Sequence, residues 1–181
     1  MKKVFFIISL ITLSGAAFAQ VKKTSSATVT FDATTPKDAL PKADNKTVVG
    51  EVNTKSGQVG FEAVVKNFAF NNEMIQNHFN GEKWMNSDKF PTFTFVGKIA
   101  DLTKVKFDKA GTYTVAVAGD LTVRDVTKPL TTNVTFEVKD GSVKATTSFS
   151  IKLADYSITG APIEAGKIAT EPKISVSAEL K

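Results

Sequence analysis

Residues Tyr113–Val123 read YTVAVAGDLTV, with Tyr113, Val115, Val117, Gly119, Leu121 and Val123 alternating with Thr114, Ala116, Ala118, Asp120 and Thr122. An apolar residue at every second position turns one face of an extended strand to a core and the other to water. The same beat runs through Val134, Phe136 and Val138, then Val143 to Leu153, then Ile174, Val176, Ala178 and Leu180. Together with Ala27–Phe31, Val48–Val52, Val59–Val65, Thr92–Ile99 and Val105–Phe107, this predicts seven or eight antiparallel strands, each burying one side. Turn residues separate them at Lys55-Ser56-Gly57, Asp108-Lys109-Ala110-Gly111 and Asp140-Gly141. The last is a pair suited to positive φ at both positions of a tight hairpin. Pro129 cannot donate to a ladder, so it predicts a break or an edge bulge. Thr34–Asn45, with two prolines, reads as a loop or a short turn of helix.

The rhythm stops once. The segment Phe68–Phe95, FAFNNEMIQNHFNGEKWMNSDKFPTFTF, gathers many of the chain's phenylalanines, its only Trp, its only His and two Met. Asn71 or Asn72 can cap a helix there, and Glu73 suits the positive end of its dipole. Met74, Ile75, His78 and Phe79 fall on one helical face, and Gly81 is a plausible stop. Trp84-Met85 then sits in a loop that returns to the sheet at Phe90-Pro91. A thick apolar insert among half-buried strands predicts a β-barrel or sandwich with a greasy plug or a lined cavity. Closing a small barrel and lining its lumen use the same side chains.

The N-terminus reads as a cleaved secretory signal, Met1–Ala19. Lys2 and Lys3 form the positive region, Val4–Leu13 the apolar region, and Ala17-Phe18-Ala19 the cleavage site. The apolar run is shorter than the roughly 20 residues a spanning helix needs. The expected mature chain, residues 20–181, is one domain, periplasmic or secreted, with no stable membrane anchor. With no Cys it has no disulfides, thiol nucleophile or zinc knuckle, and a single His argues against His-rich metal sites. The formal charge of +5 includes Lys2 and Lys3. The remaining lysines are scattered along strand faces rather than massed, which argues against a nucleic-acid groove. The triplets Asn45-Lys46-Thr47 and Asn133-Val134-Thr135 match a glycosylation pattern that arises often by chance.

Three blocks, in order, resemble the YceI-like polyisoprenoid-binding proteins. They are Phe68–Phe95, with Met74 to Asn80 and Ser87-Asp88-Lys89-Phe90-Pro91-Thr92-Phe93-Thr94-Phe95 at its centre, then Gly119–Pro129, then Phe149–Ile158. The resemblance covers roughly Val29 to Leu180. It implies an all-β fold, an extended antiparallel eight-stranded lipocalin-like barrel with one short helix and loop insert capping the lumen. It also implies a non-enzymatic protein that holds an isoprenoid or other lipid tail. The chain departs from the family's pattern at Arg124-Asp125 and Ala27-Thr28, where many members carry His-Gly and His-Ser, and at Gln76-Asn77 in place of charges. A diphosphate head group therefore does not carry over.

Inward Phe, Val, Leu and Met with few polar groups are what an apolar tail requires. The candidate ligand-binding residues are Phe61, Phe68, Phe70, Met74, Phe93, Phe95, Leu121, Phe136, Phe149 and Ile151, with His78 and Trp84 at the rim or lid. No catalytic or metal-binding residue and no cofactor is expected. Each buried methylene contributes roughly 0.8 kcal/mol, so a few isoprene units could give nanomolar binding. The expected partner is a polyisoprenoid, quinone or fatty acyl chain, and a homodimer is compatible with the sequence. The competing reading is an envelope scaffold or partner-binding barrel whose core is filled by its own side chains. A hydrolase or isomerase acting on a lipid would need His78 and an acid facing the cavity.

Overall fold

Most of the alternating segments become strands, but the row Val143–Leu153 leaves the sheet after Ser150. In the computed structural model, which describes residues 20–181, β1 is Val21–Asp32, β2 Lys42–Asn53, β3 Gln58–Val64 and β4 the two-residue Ala69–Phe70. They are followed by α1 (Glu73–Asn80), β5 (Thr92–Ile99), β6 (Gly111–Val123), β7 (Val126–Lys139), β8 (Ser142–Ser150), α2 (Ala161–Glu164) and β9 (Lys173–Leu180). The expected signal Met1–Ala19 lies outside the described residues.

Neighbouring strands pair antiparallel in the order β1-β9-β8-β7-β6-β5-β3-β2, and β1 also pairs with β2, so eight strands close into a barrel. β4 adds a short rung to the top of β2 through Ala43↔Phe70 and Asp44↔Ala69. Closure removes the free edges that an open sheet must protect. Asp140 (φ 49°) and Gly141 (φ 78°) form the expected hairpin turn between β7 and β8. That turn marks the lower end of the barrel. Arg124-Asp125, between β6 and β7, mark the upper end together with α1.

Two sequence expectations are corrected here. Val105–Phe107 is not a strand. It follows a 3-10 turn at Leu102–Lys104 in the β5–β6 connection, where Val105 is buried and Phe107 stacks edge-on against Phe136 at 5.4 Å. Two apolar residues of the loop, Val105 and Phe107, thus plug the lower end instead of extending the wall. Pro129 neither breaks β7 nor makes a bulge, since it stays in register opposite Asp120. Among the described residues, upper β7 has no strand paired on its other flank, because pairing with β8 begins only at Val134↔Thr147. Pro129 is tolerated because this stretch is an edge. Thr34–Asn45 is likewise divided, a loop up to Pro41 and then the first residues of β2.

The bulges lie between β1 and β2, where the register shifts between Thr24 and Ala27 and again between Ala27 and Val29. Asn45, wholly buried, fills the second. Its Nδ2 donates to the Val64 carbonyl at 2.9 Å, and its Oδ1 accepts from the Thr47 N–H and hydroxyl, both at 2.9 Å. The side chain thus replaces ladder bonds that the bulge interrupts, and it is not displayed for glycosylation. Asn45→Ala removes the hydrogen-bond partner of Val64 O and of Thr47 N from a wholly buried site. The expected loss is about 2 kcal/mol, read as a lower urea midpoint with an unchanged slope.

Candidate functional site

The interior of the barrel has two halves with different packing. Below, Val52, Val59, Ile99, Val105, Val115, Val117, Phe136, Val138, Val143, Ala178 and Leu180 are buried and fill the space solidly. Above, a lid is equally dense: Phe31, Phe68, Phe79, Met85, Leu153 and Ile158 are all buried. Between floor and lid the inward residues Val29, Phe61, Phe93, Phe95, Leu121, Phe149, Ile151, Ile174 and Val176 are only half-buried. Strand parity turns them inward, so what they are exposed to is the lumen. The result is a cavity of about 160 Å³ with an almost wholly apolar wall, in which Thr94, Thr132, Thr146 and Thr147 are, among the described residues, the only hydroxyl-bearing lining residues.

Glycines keep this middle section open. Phe61 and Phe95 face each other in register on β3 and β5, and Phe61 pairs on its other side with Gly50. A Cβ on Gly50 would lie 2.3 Å from the Phe61 ring, and one on Gly97 would lie 2.7 Å from that of Phe95. Each ring therefore lies flat over a glycine on the wall instead of standing in the lumen, an arrangement that also covers the bare backbone. Gly97 and Gly119 are themselves a cross-strand pair, drawing β5 and β6 together beneath Phe95.

The lid comes from two segments. The first is the insert. Asn72 caps α1, its Oδ1 accepting the Ile75 N–H at 3.1 Å, and Gly81 ends it with extended backbone at φ −65°. Phe79 projects down into a ring cluster, with centroids 4.9 Å from Phe70, 5.9 Å from Phe31 and 5.9 Å from Phe68. The second is Ile151–Pro172, anchored by Leu153 N–H to Thr170 O at 3.0 Å and Ala169 N–H to Ala33 O at 2.9 Å. Burial, and secondarily the Asp155 carboxylate, push the Tyr156 phenol in this segment above its ordinary pKa, so it stays neutral.

Of the sequence candidates, Phe61, Phe68, Phe93, Phe95, Leu121, Phe136, Phe149 and Ile151 line the cavity. Four do not. Met74 is 66 % exposed and His78 is also exposed, so the buried face of α1 is narrower than the one expected. Of the four residues on that face only Phe79 is buried, held by the Phe31–Phe68–Phe70 cluster, while Ile75 is half-buried. Phe70 packs behind Phe31 and Phe79 without reaching the lumen, and Trp84 supports the core from the loop while its neighbour Met85 lines the cavity. His78 thus has no access to the lumen, and no lining residue carries an ionisable group. Among the described residues no group of three or more His, Asp or Glu could hold a metal ion.

The sequence reading missed Val29, Ile174 and Val176, although they share the apolar parity of their strands. It also missed Leu153, the last residue of its alternating row, and Ile158, which lies beyond that row, where period two no longer predicts a face. Arg124 takes positive φ (58°) at the β6–β7 turn, and its guanidinium lies 5.6 Å from the Phe90 ring centre with Nε buried and unpartnered.

Three solved structures of similar shape are distant in sequence. A polyisoprenoid binding domain from Saccharophagus degradans, implicated in plant cell wall breakdown, aligns at a TM-score of 0.75 and 14 % identity over 90 % of this chain and 98 % of its own. BcnA of Burkholderia cenocepacia aligns at 0.70 and 18 % over 86 % of this chain and 96 % of its own. The YceI protein of Campylobacter jejuni aligns at 0.54 and 19 %, over 75 % and 81 % respectively. Comparison with curated proteins gave no match. The sequence model of the YceI-like domain matches residues 12–180, so the strands, the lid and the lumen they enclose all fall within it, and the chain belongs to the YceI-like domain family.

Proposed function

We propose that this protein is an exported lipid-binding protein that holds the apolar tail of a long-chain amphiphile in the middle section of its barrel. The observation that carries this reading is the 160 Å³ apolar cavity between a packed floor and a packed lid. Membership of the family and the polyisoprenoid binding of one structural neighbour support a lipid, and the N-terminal pattern of Met1–Ala19 supports export. A polyisoprenoid fits best, with a quinone tail or fatty acyl chain as chemically similar guests.

Size limits how the guest is held. A dry cavity of about 150 Å³ accommodates one benzene, so this lumen at rest takes about one isoprene unit. Five buried carbons contribute about 4 kcal/mol, which is only millimolar binding. A micromolar complex needs about twice that length, so the lumen must widen by lifting rings such as Phe61 and Phe95, or the rest of the tail must lie outside it. The packed lower half gives the scaffold reading its one specific support.

Native mass spectrometry of protein from its own host, before and after denaturation, separates the two. A released lipid, together with a raised melting temperature when that lipid is added back, is the expected result. No lipid and no melting shift with any long-chain amphiphile would leave only the scaffold.

A further inference from the structure

Above the pair Val134↔Thr147 the wall of the barrel is unpaired, although β7 continues up to Val126 and β8 up to Ser150. Thr147 sits in the fork. Its hydroxyl donates to the Asn133 carbonyl at 2.8 Å and lies 2.8 Å from the Thr132 hydroxyl, so one side chain stands in for the ladder that stops there. Leu130 and Thr132 on one lip and Phe149 and Ile151 on the other all line the cavity and are half-buried. These four residues place the unpaired stretch against the lumen, with the lid turn Leu153–Tyr156 lying close to β7.

The inner face of upper β7 can be assigned from its pairing with β6. Directly opposed residues share a face. Thr122 and Thr127 are opposed and their hydroxyls meet at 2.9 Å on the outer surface. The next pair, Leu121↔Lys128, then lies on the inner face, as Leu121 confirms by lining the cavity. Read upward from the floor, the inner row of β7 is Phe136, Val134, Thr132, Leu130 and then Lys128. A lone ammonium thus stands on the lumen side of an apolar row, beside the gap. It is exposed and, among the described residues, has no carboxylate within ion-pair distance. Lys152, just past the top of β8, is by contrast 3.9 Å from Glu171.

We propose that the β7–β8 gap is the mouth of the cavity and that Lys128 on its lip binds the oxyanion of an anionic amphiphile, a carboxylate or a phosphate. This rests on the lumen reading above and names the head group that goes with it. The tail lies along Leu130 and Phe149 into the lumen. The head remains hydrated in the gap, where one charge-assisted hydrogen bond favours an acid over a neutral alcohol of the same chain. Such a contact is expected to be worth about tenfold in affinity.

The test uses delipidated protein and three probes with one tail: geraniol, geranic acid and geranyl phosphate, titrated calorimetrically at neutral pH. The expected result is that either acid binds about tenfold more tightly than geraniol. Lys128→Gln should erase that difference while leaving geraniol within about twofold, and Lys128→Arg should keep it. Comparing the two acids shows whether the lip prefers carboxylate or phosphate. Arg124→Gln removes a charge from the same hairpin, on the β5 side, and should leave the preference intact. The proposal is overturned if geraniol equals the acids in the wild type, if the preference survives Lys128→Gln, or if Arg124→Gln erases it equally. Binding of geraniol without preference refutes the head-group site alone. If no probe binds, the lumen reading fails and takes the mouth with it.

Discussion

A Phe149→Asp protein is expected to fold and to lose at least about 100-fold in lipid affinity, the equivalent of about 3 kcal/mol. Phe149 lies on the gap side of the cavity and is only half-buried, so in the empty protein a carboxylate there can stay hydrated. A bound tail would strip that water and leave the charge facing hydrocarbon. Phe149→Leu keeps the wall apolar and should bind within a few-fold of wild type. Both variants should show a wild-type far-UV spectrum and a cooperative melt. The measurement is displacement of a fluorescent fatty-acid probe, titrated in parallel for the three proteins. Equal affinity of Phe149→Asp and wild type would show that the tail does not occupy this cavity.

Gly119→Val should produce the largest loss of stability of any single substitution considered, about 3 kcal/mol or more. A Cβ there would lie 2.4 Å from Gly97 Cα and 2.4 Å from the Val96 carbonyl oxygen. Both are backbone atoms of β5, so relief requires moving a strand in the middle of a closed wall. Gly60 provides the control. Its Cβ would meet only the Glu51 side chain at 3.9 Å, and Gly60→Ala should stay within about 0.5 kcal/mol of wild type. Urea unfolding of the two variants side by side decides the matter. A Gly119→Val midpoint equal to that of Gly60→Ala would mean that β5 and β6 are not held as closely as the pairing Gly97↔Gly119 requires.

These two positions illustrate what could be read in advance. Phe149 was legible as an inward residue, because alternation assigns a face to each member of a strand. The importance of Gly119 was not, since it appeared only as one more odd position in YTVAVAGDLTV. Its role depends on β5 bringing a second glycine opposite it and laying Phe95 over both. The helix shows the same limit. A cap at Asn71 or Asn72 and a stop at Gly81 were local readings, and the structure uses Asn72 and Gly81, whereas the inward face was settled by the three rings packed around Phe79. Asn45 looked like a glycosylation triplet and is a buried bridge across a bulge. Lys128 looked like one solvated lysine among many, and only the register against Leu121 sets it on the inner face.

By itself the sequence determined the β class, most of the strand positions, the capped helix α1, and eight members of the cavity wall. Those properties follow from period-two patterning and from residue chemistry acting over a few neighbours. Only the tertiary structure decided that the lower half is solid, that the lumen is short, and that the wall parts between β7 and β8. Packing density and strand pairing join residues far apart in the chain, and no local pattern encodes how much space they leave between them.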